Sequence, residues 1–207
     1  DLRWESMIPY VNKKYPIYIK ANEVKQIEAA VSWSKRHSVN IVIVGGKDAW
    51  KTTDILAKNR IPVIYEGVTS IPMRRFEDYD QPYKTPNVLY ESGVQFCISS
   101  FGYAGSTEQL RNLPYQASMA ASYGLPKDVA LRAITLSVAE IIGVDKQIGS
   151  LDIGKDATLF ISDGDPLEIR TNIIQAYIQG REIDMKDRHK SPVSYTHLTL
   201  PTIKRVE

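Results

Sequence analysis

Apolar segments of two different periods alternate along residues 15–99, and this alternation is the strongest constraint on the fold. Short runs rich in β-branched residues predict strands at residues 15–21, 39–44, 61–65 and 95–99. Segments with helical periodicity or helix-favouring composition predict helices between them, at residues 24–36, 49–58 and 85–93. Strands that alternate with helices are typical of parallel sheets built by right-handed crossovers. The sequence therefore predicts an α/β fold.

The rest of the chain is organised differently. Residues 69–83 predict a long connecting loop, and long loops in compact domains are commonly functional. Residues 106–144 predict a helical region that is broken at Pro114 and again at residues 124–126. Residues 148–167 read IGSLDIGKDATLFISDGDPL and predict a turn, a strand and a second turn, and a hairpin is predicted around residues 173–183.

Bulk composition excludes several classes of protein. The chain has 26 basic and 24 acidic residues, a net charge of +2, and no basic cluster interleaved with aromatic residues, so we expect no nucleic-acid partner. No run of about 18 apolar residues occurs, so we expect no membrane span. The single cysteine, Cys97, excludes an internal disulfide framework and leaves the redox compartment open.

Two motifs carry a family resemblance. The stretch 148–167 closely resembles the G-S-L-x-x-G-K-x-A-D-L segment of the amidohydrolase superfamily, where the chain leaves the catalytic barrel and returns to a small β domain. Upstream, residues 130–135 (ALRAIT) and 139–143 (AEIIG) are similar to the helices that precede that segment in imidazolonepropionase-like members, with Val138 where the family usually has proline. The resemblance covers roughly residues 15–190.

The resemblance implies a partial structure. Residues 1–147 would hold strands five to eight of a (β/α)8 TIM barrel, the C-terminal half of the barrel. Residues 148–191 would hold the C-terminal strands of a small composite β-sandwich domain. The chain would then be a fragment without the first four barrel strands, so its natural N-terminus and its compartment, cytoplasmic or periplasmic, stay undetermined.

The last residues, 192–207, are interpreted as a non-native tail. Residues 193–202 read VSYTHLTLPT, which does not continue any preceding period and resembles a translated sequencing adapter. A natural polar tail is the alternative, and the encoding DNA would distinguish the two.

The resemblance also implies a metal-bound hydroxide that attacks a carbon–nitrogen bond. In the family, the ligands in this half of the barrel are His after the fifth and sixth strands and Asp after the eighth. Here those positions read IKA at 19–21, VGG at 44–46 and SSFG at 99–102. We therefore expect no metal ligand in this half, and a divalent, zinc-like ion would depend on the missing half of the parent protein.

Two residues at predicted strand ends are the candidate catalytic groups, because TIM-barrel active sites lie at the carboxyl ends of the strands. Lys20 could act as an electrophile, as a substrate anchor or, in its neutral form, as a base; it could equally be a lysine at a strand end with no role. Glu66 is a candidate acid or base, with an ordinary ion-paired carboxylate as the alternative.

Five further residues are candidates for substrate binding. Asn22 could orient a substrate or cap the following helix, and Gly45 and Gly46 could let a ligand approach the backbone or simply form a turn. Arg74 and Arg75, in the long loop, could hold an anionic substrate or could be solvated.

The function that the resemblance implies is that of a hydrolase acting on a non-peptide carbon–nitrogen bond of a small molecule. That activity would belong to the full-length parent, and we expect this chain alone to be inactive. The alternative is an inactive or metal-free relative that binds a ligand without hydrolysing it.

Half a barrel exposes two unpaired sheet edges, which favour association. We therefore expect the isolated chain to aggregate or to form homo-oligomers. Sedimentation and calorimetry test this expectation, and a monodisperse monomer that melts cooperatively would contradict it.

Overall fold

A four-stranded parallel sheet with the order β1-β2-β3-β4 organises the first half of the computed structural model, which describes residues 1–100 and 110–185. The strands are β1 (Ile17–Ala21), β2 (Ile41–Gly45), β3 (Val63–Glu66) and β4 (Phe96–Ser99). Each strand pairs in parallel with the next one along the chain, as the alternating sequence pattern predicted.

Helices precede, connect and follow the strands of this sheet. They are α1 (Leu2–Glu5), α2 (Ile8–Val11), α3 (Val24–His37), α4 (Thr53–Asn59), α5 (Gln81–Glu91), α6 (Leu113–Ser122), α7 (Lys127–Ala133) and α8 (Leu136–Ile142), with a 3-10 turn at Ala49–Lys51. Among the described residues, none of these helices is long and apolar enough to cross a bilayer.

One face of the parallel sheet is buried under helices. Because side chains alternate between the two faces of a strand, every second strand residue meets the helical layer. The core on this side includes Ile43 and Val63 of the sheet, Ile27 of α3, Leu56 of α4 and Leu89 of α5, all completely buried.

The opposite face is covered at its amino end only by α8 among the packed elements described. Val42, Ile64 and Cys97 of the sheet pack there against Val138 and Ile141 of α8. Toward the carboxyl ends of the strands, the same face carries polar residues, which are described in the next subsection.

A three-stranded antiparallel sheet follows, with the order β5 (Leu159–Ser162), β6 (Ile173–Ile178) and β7 (Arg181–Glu182). Gln179 and Gly180 join β6 to β7 with φ values of 51° and 76°, as a two-residue hairpin of type I′ requires. All residues of the three strands are exposed or only half-buried. Contacts with the preceding helices come from buried Leu167 and from Lys127, which pairs with Asp165 and Glu168.

Prolines account for the main errors in the predicted helix boundaries. Helix α5 begins at Gln81, four residues before the predicted start, because Pro82 lies in the first turn, where a missing N–H is tolerated. Pro86 lies inside α5 and cannot donate to the carbonyl of Pro82; the Tyr65 hydroxyl donates to that carbonyl instead, at 3.1 Å. Pro114 likewise lies in the first turn of α6, so it begins a helix there and does not break one.

Two other predictions need correction or fall outside the described residues. The helix predicted at 49–58 is divided into a 3-10 turn and α4, with Thr52 between them. The predicted tail at 192–207 and residues 101–102 of the SSFG segment lie outside the described residues.

The helix-covered core predicts the cost of a cavity. We expect Leu56→Ala, which removes a completely buried side chain, to lower the free energy of unfolding by about 2–5 kcal/mol. Ile153→Ala is the matched control, because Ile153 is fully exposed and its truncation should change stability by less than about 0.5 kcal/mol. Urea denaturation followed by tryptophan fluorescence measures both values, and equal effects would contradict the assigned core.

Candidate functional site

The two candidate catalytic residues form an ion pair at the carboxyl end of the parallel sheet. Lys20 Nζ of β1 lies 3.5 Å from Glu66 Oε2 of β3. Their strands are not neighbours, because β2 lies between them and Val44 is the register partner of Lys20. Adjacent strands lie about 4.8 Å apart, so the long lysine side chain reaches across β2 to the carboxylate.

The two members of this pair differ in exposure. The Lys20 side chain is 61% exposed, whereas that of Glu66 is 11% exposed. A charge-assisted hydrogen bond from nitrogen to a carboxylate measures about 2.7–2.9 Å, so this contact is a loose one. An ammonium has three donors, and Lys20 therefore retains the capacity to bind a further acceptor from solvent.

Two serines at the carboxyl end of β4 were not among the predicted site residues. Ser99 is the register partner of Glu66, and its hydroxyl donates to the carbonyl of Ser100 at 3.1 Å. Ser100 is 7% exposed, and its hydroxyl oxygen has no hydrogen-bond partner within the described part of the chain. The sequence did indicate these serines, because they stand at the end of β4, where the resemblance leads one to expect an aspartate.

The backbone geometry explains why glycines stand at the end of β2 and directly after it. Gly45 has a φ of +100°, and a Cβ atom there would overlap the side-chain oxygen of Asn22. Gly46 has a φ of +63°, and its Cβ would lie 2.8 Å from Val63 Cγ1. The amide of Gly46 also donates to the carbonyl of Ala21, which joins this turn to the end of β1.

Asn22 does not cap helix α3 with its side chain. The N-cap is Glu23, and Gln26 Oε1 accepts hydrogen bonds from the amides of Asn22 and Glu23, at 2.8 and 3.2 Å. Asn22 Oδ1 is buried without a hydrogen-bond partner among the described residues. Substrate binding by Asn22, Gly45 and Gly46 stays a prediction.

Arg74 is engaged by carboxylates of the protein itself. Its two terminal nitrogens each lie 2.8 Å from one oxygen of Asp48, a bidentate pair, and Nη1 also donates to Glu77 Oε1 at 2.7 Å. Lys51 adds a second cation, with Nζ 2.7 Å from the same Glu77 oxygen. These four residues, here called the Asp48 clamp, tie the long loop to the turn after β2.

Asp48 is the central residue of the clamp, and the sequence analysis did not single it out. It is 1% exposed, its carboxylate accepts from the amide of Val24 at the start of α3, and its own amide donates to the carbonyl of Asn22. Burial by itself would raise the pKa of Asp48, but the hydrogen bonds from Arg74 and Val24 and the charge of Lys51 outweigh it, so the pKa lies below its usual range.

The other arginine of the long loop, Arg75, is exposed to solvent. Its predicted role in substrate binding stays a prediction. For Arg74, the structure shows the guanidinium bound by Asp48 and Glu77, which is a structural use of the side chain.

The donors of the described residues do not form a site for a divalent metal ion. Across residues 1–100 and 110–185, no three His, Cys, Asp or Glu side chains come together where they could hold an ion. Cys97 is buried, and burial raises the pKa of its thiol to about 12, so the thiol stays protonated and is a poor ligand. The ammonium of Lys20 lies beside Glu66, where it would repel a cation.

Comparisons with known proteins point to one superfamily. An amidohydrolase from Thermotoga maritima superposes with a TM-score of 0.78 and 26% identity, over 90% of this chain and 48% of that chain. Over 65 residues, 31% of this chain and 7% of the relative, the sequence is 32% identical to amidohydrolase tasK of Hapsidospora irregularis. No protein-family model matches the chain.

A more distant solved structure shares the fold alone. It is an adenosine deaminase from Xanthomonas campestris with bound zinc, at a TM-score of 0.56 and 15% identity, over 87% of this chain and 49% of that chain. The chain thus spans about half the length of the solved structures it matches.

The Asp48 clamp predicts a pH-dependent contribution to stability. Because the pKa of Asp48 is lower in the folded than in the unfolded state, its contribution is complete above the unfolded value, about 4, and is lost as the pH falls through the folded value. Asp48→Asn should therefore lower the free energy of unfolding by about 3 kcal/mol at pH 7, and by progressively less under acid conditions.

Urea denaturation of both proteins between pH 7 and pH 2.5 measures that difference. Asp54→Asn is the control, since Asp54 is exposed in the first turn of α4 and should change stability little at any pH. The free energies of unfolding of the Asp48→Asn variant and the original chain are compared at each pH. If their difference stays constant across this range, the carboxylate charge is not what stabilises the loop.

Proposed function

The resemblance to the amidohydrolase superfamily is confirmed, and from this premise we propose that the chain is the C-terminal half of a hydrolase that acts on a non-peptide carbon–nitrogen bond of a small molecule. The parallel sheet would supply barrel strands five to eight. Residues 1–147 would form the half barrel, and residues 148–191 would form part of a small β domain. The match to about half of each solved relative supports the proposal that the chain corresponds to half of a longer protein.

The sheet topology supports a barrel in particular. Its strands follow one another in chain order, α3, α4 and α5 pack on one face, and β1 and β4 each pair with a single strand among the described residues. A sheet of this kind closes into a ring when further parallel strands join both edges. The face that carries Val42, Val44 and Ile64 would then line the interior.

The observation that carries the proposed function is the Lys20–Glu66 pair. It lies at the carboxyl end of the strands, on the face opposite α3, α4 and α5, and the carboxyl end is where barrels of this type hold their active sites. A carboxylate and an ammonium at this position are groups that can move a proton and hold a polar substrate.

Hydrolysis of a carbon–nitrogen bond needs one proton to move twice. The oxygen of a water molecule adds to the carbon, Glu66 accepts the proton that the water loses, and the same proton then passes to the leaving nitrogen as the carbon–nitrogen bond breaks. Lys20 contributes a positive charge near the developing negative charge. In this scheme Glu66 is the acid and base, and Lys20 is the electrostatic or anchoring group.

No step of this scheme uses a metal ion, because the described residues do not provide a set of ligands for one. A divalent cofactor in the full-length protein would need ligands from residues beyond those described. The zinc that the Xanthomonas campestris deaminase contains belongs to that protein.

The same donor set favours a second candidate function, which is ligand binding without hydrolysis. Lys20 occupies a position where the resemblance implies a metal-ligating histidine. A protein that has exchanged a ligand for an ammonium can keep a binding pocket after losing the reaction.

The first proposal is tested by measuring hydrolysis with the full-length protein, expressed from the complete reading frame. We expect turnover of a cyclic or linear amide, with Glu66→Gln lowering kcat/KM by about 10²-fold or more, because general acid–base groups contribute that much. Lys25→Met is the control, since Lys25 is an exposed lysine on α3 and should leave kcat/KM unchanged.

Each assay is repeated after complete metal removal. Activity that survives chelation and requires Glu66 supports the metal-free scheme. Activity that disappears on chelation and returns with zinc would contradict that scheme. Binding of amides without any turnover would favour the second candidate function.

A further inference from the structure

A cavity lies at the amino ends of the parallel strands. Its volume is about 370 Å³, within the range of roughly 300–1,000 Å³ that small-molecule sites occupy. Its walls come from the residues at the starts of the four strands, from the last turns of α3 and α4, and from α8. Ile41 of this cavity and Val44, the register partner of Lys20, lie about 10 Å apart along β2. The cavity is therefore separate from the Lys20–Glu66 pair.

One part of the wall is apolar. Ile41 and Val42 of β2, Ile61 before β3 and Ile141 of α8 line the cavity, and each of them is at most 5% exposed. Transfer of apolar surface out of water favours binding. This part of the wall therefore suits a ligand with an apolar body.

The rest of the wall carries hydrogen-bond donors that the protein does not use. Arg60, Asn40 and Gln95 line the cavity and are exposed, and their side chains have no hydrogen bond or ion pair with another described residue. A guanidinium presents a planar fork of donors that matches a carboxylate, and each amide group adds two N–H donors. Together these side chains offer donors to an acceptor that is missing from the described part of the chain.

The charges of the wall favour an anion as that acceptor. Glu140 is the acidic residue of the wall, and both of its oxygens accept from Nη2 of Arg132, at 2.7 and 2.9 Å. The positive charge of Arg60 has no such partner among the described residues. The last turns of α3 and α4 add further basic residues at this end of the sheet, which are Lys35, Arg36, His37 and Lys58.

The carboxyl end of helix α4 does not oppose this preference. Free carbonyl groups give a helix end partial negative charge, which would repel an anion. Here the carbonyls of Leu56 and Ala57 accept from the amides of Ile61 and Arg60, each at 3.0 Å. These carbonyls are thus satisfied by the turn that brings Arg60 to the cavity.

We propose that this cavity binds a small carboxylate that has an apolar body, such as an arylacetate. The carboxylate pairs with Arg60, with the amides of Asn40 and Gln95 as further donors, and the ring packs against Val42 and Ile141. The site goes beyond the proposed function, because neither Lys20 nor Glu66 takes part in it.

Three probes separate the charge of the ligand from its apolar body. Phenylacetate carries both features, phenylacetamide has the same size without the charge, and acetate has the carboxylate without the ring. Each is titrated at constant ionic strength into the 207-residue chain, at a concentration where sedimentation shows one species. Binding is followed by the amide NMR signals of residues at the amino ends of the strands. We expect phenylacetate to bind at least about tenfold more tightly than either of the other probes.

Substitutions in the wall change the affinity in opposite directions. Arg60→Met should weaken phenylacetate about tenfold or more and phenylacetamide little, because it removes a charged hydrogen-bond donor. Arg60→Lys should give an intermediate affinity, since lysine keeps the charge but loses the planar fork. Glu140→Gln should strengthen phenylacetate, because it removes the carboxylate of the wall. Lys58→Met is the control: Lys58 is exposed at the end of α4 and does not line the cavity, so its loss should change the affinity less than about twofold.

Several outcomes would contradict this site. They are the absence of phenylacetate binding, equal affinity for phenylacetate and phenylacetamide, or an equal effect of Arg60→Met and Lys58→Met on phenylacetate. The full-length protein, expressed from the complete reading frame, is titrated in the same way, and a failure to bind phenylacetate there would also overturn the proposal. Hydrolysis of amides does not enter any of these measurements, so their results are independent of the proposed function.

Discussion

Burial of alternate strand residues under the helices is the constraint on which the rest of the structure depends. Ile43 and Val63 point into that layer, and their burial fixes which residues of each strand face the other way. Lys20 and Glu66 fall in the second set, at the carboxyl ends of β1 and β3. A shift of one residue in any strand would exchange the two sets and would dismantle the site along with the core.

The loops above the sheet are positioned by a different kind of interaction. Asp48 is buried, so its charge is tolerated only because Arg74 and the amide of Val24 satisfy its oxygens. Through these contacts one carboxylate joins the turn after β2, the start of α3 and the long loop after β3. The long loop that follows Glu66 is therefore held by an arginine that serves the fold.

The fold of this molecule resembles that of known proteins, but the residues at its candidate site differ from those that the resemblance implies. The chain superposes on an amidohydrolase from Thermotoga maritima and on an adenosine deaminase with bound zinc. Yet Lys20, which stands where the resemblance implies a metal-ligating histidine, pairs with Glu66, and the described residues hold no cluster of metal-ligating donors. The function of this site has to be argued from the Lys20–Glu66 pair itself, because a shared fold does not transfer a mechanism.

The sequence by itself determined the strands, most helices and the parallel topology, because those depend on local periodicity and on the short connections between elements. It misplaced the starts of α5 and α6, where Pro82 and Pro114 lie in first turns that need no N–H donor. It also missed Asp48, whose partner Arg74 is 26 residues away and is recognisable only once the loop is folded. Only the tertiary structure decided that Lys20 reaches Glu66. The two residues are far apart in the sequence, and their side chains meet only because β1, β2 and β3 pair side by side and the lysine is long enough to cross β2.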